Sequence, residues 1–349
     1  MKITFVSTVN PEPVSDDFCL RNFHPFLEIS PLELNSTYKI DSLYRNRDPR
    51  YMVMLKRFQS KFSDSQILVC SQMNPFHPEW LKLELGNTVK VLGLVDDPVV
   101  TYTCTIPALF AFDAAFYISP SYSSDLTMPE MLELNGIKQH TWLPLSQVSK
   151  SSAGVSTVLS TLENRTRPCI YVGGFYYEKL ERLAKLKSKL DSSLQIYGKW
   201  PKMGFSGALA PLRGTKVWFP YRVTPLSIDE KVQAYLDYKI GVNLHFNEGR
   251  ETGNLRCYET TAYGLLLLCD KAAMNLNETI YVPGEEAIYF ESIEEAADLA
   301  RYYLSHDEER IRVAKAGHLR FLKSYDSRTV METFLSWCVK LKLKARTLL

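Results

Sequence analysis

Short apolar runs, each bounded by turn residues and separated by helical patterns, recur in both halves of this chain. Such alternation restricts it to parallel α/β architectures. In the first half the runs are Ile3–Val6, Ile67–Cys70, Val89–Val95, Ala115–Ile118 and Thr141–Pro144, with helical spacing over Arg50–Phe62 and Met128–Leu134. The second half restarts at Cys169–Val172 and continues with Leu194–Tyr197, Lys216–Phe219, Ile240–Leu244, Leu265–Cys269 and Ala287–Phe290. Helical patterns there cover Glu178–Leu190, Ile228–Leu236, Arg256–Tyr263, Ile293–Ser305 and Glu308–Ser324. Runs apolar on both faces suit parallel strands covered by helices on either side.

A chain of 349 residues exceeds one ordinary core and suits two domains of about 150 residues. The segment Ser146–Arg167, rich in Ser and Thr, reads as their connection. The expected organisation is a first Rossmann-like domain over 1–150, a second over 166–325, and a helix over 326–349 placed to cross back to the first. Ligands of such sheets bind beyond the carboxyl ends of the strands, so two facing domains make a cleft. No repeat or low-complexity tract interrupts the pattern.

A net charge of +2 is far from the basic excess of a nucleic-acid binder. The seven cysteines are scattered and form no C-x-x-C pair. Neither a disulfide framework nor a zinc site is expected; reduced buried thiols of a cytoplasmic protein are. No apolar run has the length of a transmembrane helix, and Met1–Val9 reads as a strand rather than a signal peptide. The tail carries Lys340, Lys342, Lys344 and Arg346. A solvated helix face is the plain reading of those charges, and a peripheral contact with anionic lipid the sharper one.

The most informative stretch runs from His245 to Glu259, between an apolar strand and a helix of small residues. Free amides at a strand's end, the helix dipole and Gly253 make a natural anion site there, with a nucleotide diphosphate as its guest. Glu251 and Glu259 are separated by seven residues, one in the loop and one on the helix. The pair can offer one carboxylate to a reacting sugar and the other to ribose hydroxyls, or both can be ordinary surface charges at a helix start.

This stretch resembles the Glu, seven residues, Glu motif of retaining GT-B glycosyltransferases, with Ala262 and Gly264 in place. More of the chain, roughly Val89–Tyr325, is similar to the spore-maturation CgeB-like glycosyltransferases. The similarity lies in the ordered pieces Asp96-Asp97-Pro98, Phe112-Asp113, Leu143-Pro144-Leu145, Tyr171-Val172-Gly173, Ile196–Trp200, Asn254–Glu259 and Tyr302–Gly317. The resemblance implies that Gly173 and Gly174 form a donor-side glycine loop. Tyr197, Gly198 and Lys199, with Tyr221-Arg222-Val223, would line a nucleobase pocket. Glu259 would hold the ribose, Arg256 the diphosphate, and Glu251 with Thr252, Gly253 and Asn254 the transferred sugar. Lys179 stands where the family commonly has an arginine past the glycine loop. Glu248 is a second candidate for the sugar-facing carboxylate.

Asp96 or Asp97 at a strand end, and His24 in the loop after the first strand, are the candidates on the acceptor side for a catalytic base. The remaining histidines show no metal-ligand spacing, and His306 and His318 are expected on solvated helix faces. The implied reaction moves a sugar from a nucleotide diphosphate to a glycan, lipid-linked, protein or small-molecule acceptor, retaining configuration and without metal or cofactor. A nucleotide-sugar epimerase and a catalytically silent binding partner are the alternatives.

Overall fold

The computed structural model describes residues 2–6, 20–22, 37–71, 74–95, 101–123, 125–144, 155–200, 223–245, 253–271 and 280–347. Two compact units divide the chain: Met1–Leu143 with Glu332–Leu349, and Pro144–Met331.

In the first unit the strands are β1 (Ile3–Val6), β2 (Leu20–Asn22), β3 (Ile67–Ser71), β4 (Val89–Leu94), β5 (Ala114–Tyr117) and β6 (His140–Trp142). They form one sheet in the order β2-β1-β3-β4-β5-β6, with every pair parallel. The helix Pro49–Phe62 shows how locally the sequence dictates its cover. Asp48 caps its start by accepting from the Arg50 and Tyr51 amides at 2.9 and 3.4 Å, and Pro49 pre-sets the first turn. Tyr51, Met54, Leu55, Phe58 and Phe62 then fall on one stripe and are buried. From the C-terminal helix Ser327–Thr347, Phe334 adds to this unit by packing on Phe5 and Phe116. The side chains of Lys342, Lys344 and Arg346 lie outside the described residues.

The second unit contains β7 (Arg167–Val172), β8 (Leu194–Tyr197), β9 (Tyr238–Asn243), β10 (Leu266–Asp270) and β11 (Ile288–Phe290). Their order is β11-β10-β9-β7-β8, again all parallel. Its core joins Leu180, Leu183, Leu186 and Leu190 of the helix Tyr177–Leu190 to Val242, Leu244, Leu266 and Leu268 under the helix Ile293–Ser305. After β8 the chain returns to the other side of β7, so the switch point of this sheet lies between β7 and β9. In the first sheet it lies between β1 and β3. Ligands of open parallel sheets bind at such points, beyond the carboxyl ends.

The structure adds elements that the sequence pattern does not predict: β2, the helices Thr37–Arg45 and Pro78–Glu84, and the helix Val155–Thr161 within the expected connection. Each is short, so its periodicity is weak and tertiary packing fixes it. His318 corrects an expectation: it is buried, and its Nδ1 lies 3.0 Å from the Thr261 carbonyl oxygen. Burial holds its pKa below the ordinary histidine value. His306, by contrast, is exposed and stacks on Tyr302.

Gly264 has a structural task that the motif alone conceals. Its φ of +68° ends the helix Leu255–Ala262, and its amide donates to Thr261 O at 3.0 Å. A Cβ there would stand 2.8 Å from Val158 Cγ1 and 3.1 Å from Leu162 Cδ2. Left-handed strain of about 1–2 kcal/mol and overpacking of about 1–3 kcal/mol both act on Gly264→Ala. Urea unfolding is therefore expected to show a loss of at least about 2 kcal/mol at unchanged slope; an unshifted midpoint would refute this cap.

Candidate functional site

Among the described residues, Gly173–Tyr176 follows β7, Gly198–Trp200 follows β8 and Leu244-His245 follows β9 at the carboxyl ends of the second sheet. The first two are in direct contact. Gly173 donates its amide to Tyr197 O at 2.9 Å, and Trp200 Nε1 donates to Gly173 O at 2.8 Å. A Cβ at Gly198 would lie 1.9 Å from Gly173 O, so only glycine lets these loop backbones approach. Gly174 is exposed, next to the Tyr176 ring.

Arg256 spans the switch point. It sits in the first turn of the helix Leu255–Ala262, whose Asn254 cap accepts from the Arg256 amide at 3.1 Å. Its Nε donates to Val172 O at the end of β7, and its Nη1 donates to Asn243 Oδ1 at the end of β9, at 3.0 Å. The guanidinium carbon lies 4.8 Å from the centre of the Tyr171 ring. The absent side chain of Gly173 leaves room for Nη2, which a Cβ would approach to 2.6 Å. Two buried polar atoms here, Tyr171 OH and Asn254 Nδ2, have no hydrogen-bond partner among the described residues.

One turn further along the helix, Glu259 is buried, with Oε1 2.7 Å from Lys231 Nζ and Oε2 3.3 Å from Tyr235 OH. Lys231 and Tyr235 belong to the helix Ile228–Asp237, which Ser227 and Glu230 cap reciprocally. A carboxylate offers about four lone-pair positions, so two remain after these bonds.

Of the other donor-side candidates, Gly253 and Asn254 lie at the start of the Arg256 helix and Tyr197 and Gly198 at the end of β8. Lys199 is exposed. Val223 packs partly buried against the core. Lys179 is buried, with Nζ 5.4 Å from the centre of the Tyr176 ring. Glu251, Thr252, Glu248, Tyr221 and Arg222 lie outside the described residues, as do His24, Asp96 and Asp97 of the first unit. Sequence reasoning quoted Tyr171 without giving it a role and passed over Asn243, Lys231 and Tyr235. Asn243 did carry a signal, being a polar residue inside an apolar parallel strand.

Behind Arg256 the site rests on a second polar layer. The His245 amide donates to Asp270 Oδ1 at 2.9 Å, and its Nδ1 lies 2.8 Å from the same oxygen. Arg182 Nη2 donates to Asp270 Oδ2 at 2.7 Å. Burial alone would raise the Asp270 carboxyl, but His245 and Arg182 outweigh it and hold its pKa below the usual value.

The fold is the GT-B fold, the two-sheet architecture of a large class of glycosyltransferases. Residues 178–336 match the family described as glycosyl transferase-like. Three solved structures illustrate the likeness. Sucrose-phosphate synthase from Thermosynechococcus elongatus has a TM-score of 0.62 at 14% identity, over 97% of this chain and 88% of that one. Anabaena HepE in complex with UDP scores 0.61 at 10% identity, over 97% and 100%. TarM of S. aureus, in complex with fondaparinux, alpha-GlcNAc-glycerol and UDP, scores 0.51 at 12% identity, over 81% and 58%. The chain thus spans little more than half the length of TarM. No curated protein matches the sequence. Among the described residues, no helix is long and apolar enough to cross a membrane.

Proposed function

We propose that the chain transfers a sugar from a nucleotide diphosphate to a hydroxyl acceptor, as a retaining, metal-independent enzyme of the CgeB-like kind. The observation that carries this reading is Arg256, a fixed cation across the β7–β9 switch point, with the missing side chain of Gly173 leaving room for its Nη2. A guanidinium there, with the amino end of its own helix, is suited to the diphosphate both when bound and when it departs. Tyr171 OH and Asn254 Nδ2 are further donors of the right chemistry. Complexes of similar structures with UDP make uridine nucleotides the first probes to try.

In this reading Glu259 uses its remaining lone pairs on the ribose hydroxyls, while Lys231 and Tyr235 hold it in place. Glu251 faces the transferred sugar, Gly173 and Gly174 line the phosphates, and Gly198 with Tyr197 borders the base. The acceptor side falls to the first unit, with Asp96, Asp97 and His24 as its candidate polar groups. Retention and the family subtype are supported by the order of the motif pieces along the sequence, and metal independence by the cationic charge of Arg256. The reading keeps the protein in the cytoplasm, with a peripheral lipid contact through the basic end of its last helix.

Calorimetric titration with UDP-sugars tests the donor site. Wild-type protein binds one of them, and Glu259→Ala weakens that binding by about 1.5–3 kcal/mol, the worth of a charge-assisted hydrogen bond. Added magnesium leaves the wild-type isotherm unchanged. Equal affinity in a folded Glu259→Ala protein would take Glu259 out of the site.

A further inference from the structure

Under the helix that carries Arg256, three metal-binding side chains from three different elements converge. His245 follows β9, Cys257 lies on the helix Leu255–Ala262, and Cys269 lies in β10. Their ligand atoms all lie within 4.8 Å of one another, and all three residues are buried. We propose that His245 Nε2, Cys257 Sγ and Cys269 Sγ form a binding site for a thiophilic divalent ion of the zinc class, distinct from the donor site.

The spacing fits such an ion. The two sulfurs are 3.9 Å apart and Cys257 Sγ is 3.9 Å from His245 Nε2, while Cys269 Sγ lies 3.8 Å from His245 Nδ1, so a modest turn of the ring or of Cys269 brings Nε2 into range of both sulfurs. Zinc bonds of about 2.3 Å to sulfur and about 2.0 Å to nitrogen, at tetrahedral angles, place sulfurs about 3.8 Å apart and sulfur about 3.5 Å from nitrogen. A disulfide would need the sulfurs at about 2.05 Å, a much larger displacement from the 3.9 Å found here.

The surroundings fit as well. The Asp270 carboxylate beside His245 Nδ1 accepts that ring proton, assigned from the hydrogen-bond pattern, and leaves the lone pair of Nε2 on the side of Cys257 Sγ. Carboxylate, imidazole and metal in series is the usual way a ligating histidine is oriented. Arg182 fixes Asp270 from the other side. Asn243 Nδ2 lies 3.2 Å from Cys257 Sγ and 3.4 Å from Cys269 Sγ, positions that suit N–H donation to thiolates. Two thiolates neutralise a divalent ion, which makes the burial of all three ligands electrostatically tolerable. Binding releases the two thiol protons to solvent and forms two metal–sulfur bonds and one metal–nitrogen bond.

The ion would staple the ends of β9 and β10 to the helix bearing Arg256 and Glu259, a structural role away from the reacting sugar. His245 and Cys257 are twelve positions apart, as are Cys257 and Cys269. That spacing belongs to no short ligand motif, so the strand pairing alone brings them together.

Full-length protein purified without chelator under argon tests the site. Elemental analysis should find one zinc ion per chain, and X-ray absorption at the zinc edge should show two sulfurs and an imidazole nitrogen around it. Exchange for cobalt should give thiolate charge-transfer bands, which Cys257→Ser and Cys269→Ser each at least halve, their double variant removes and Cys169→Ser keeps. Wild-type protein that takes up no ion, a coordination shell of oxygens only, or bands of full intensity in folded Cys257→Ser would each overturn the proposal. The wild-type measurements decide the matter even if a serine variant fails to fold, and none of them depends on the donor assignment.

Discussion

Glu251→Gln is expected to lower single-turnover sugar transfer by about 10²–10⁴-fold while leaving donor affinity almost unchanged, as loss of a positioned catalytic group does. The substitution keeps the shape and hydrogen-bonding reach of the side chain and removes only its charge. If the carboxylate stabilises the developing positive charge on the sugar, its contribution exists in the transition state and little of it in the ground state. If Glu251 merely pairs with Arg250 at an exposed rim, its loss is worth about 0–1 kcal/mol and turnover hardly moves. Glu248→Gln is the control, because Glu248 lies three positions earlier in the same polar stretch. Rapid-quench measurement of both variants with any working acceptor separates them. A dead Glu248→Gln beside a healthy Glu251→Gln would show that the motif is misplaced by three residues.

The second large effect is expected at Arg256. Arg256→Lys keeps a positive charge but cannot bridge Val172 O and Asn243 Oδ1 at once, since an ammonium lacks the planar fork. Loss of one charge-assisted hydrogen bond to the diphosphate, about 1.5–3 kcal/mol, corresponds to a rise in Kd of about 10–150-fold. Arg256 also ties β7 to β9, so a fall in affinity alone does not separate contact with phosphate from disordering of the site. Comparison of ligands does. Contact with the diphosphate predicts that UDP loses far more affinity than uridine, and that the salt dependence of UDP binding flattens in the variant. Equal losses for UDP and uridine would make Arg256 a purely structural brace.

All strands but β2 were readable, most directly where a parallel strand buried on both faces is apolar throughout, as at Ile67–Cys70 and Leu266–Cys269. The helix Pro49–Phe62 was readable for a similarly local reason: cap, proline and apolar stripe are all written within its own residues. The short helices Thr37–Arg45 and Pro78–Glu84 were not, since a few turns of weak periodicity gain their stability from the sheet beneath. At the site, the resemblance singled out Arg256, Gly173 and Gly198, but it did not distinguish a ligand contact from a backbone requirement. Gly198 is now explained by the 1.9 Å approach that a Cβ would make to Gly173 O, and Gly264 by a left-handed helix end.

By itself, then, the sequence determined the alternation of strand and helix, the division into two parallel sheets and the stretch in which the polar residues gather. These follow from spacings of a few residues, which hydrophobic periodicity and capping chemistry read directly. Only the tertiary structure decided that Arg256 bridges the ends of β7 and β9 and that Lys231 and Tyr235 hold Glu259. It likewise turned His318 inward and brought His245, Cys257 and Cys269 together. Strand order sets all of these. After β8 the chain crosses to the far side of β7, so residues remote in sequence become neighbours at the carboxyl ends of β7 and β9, and no local pattern encodes that crossing.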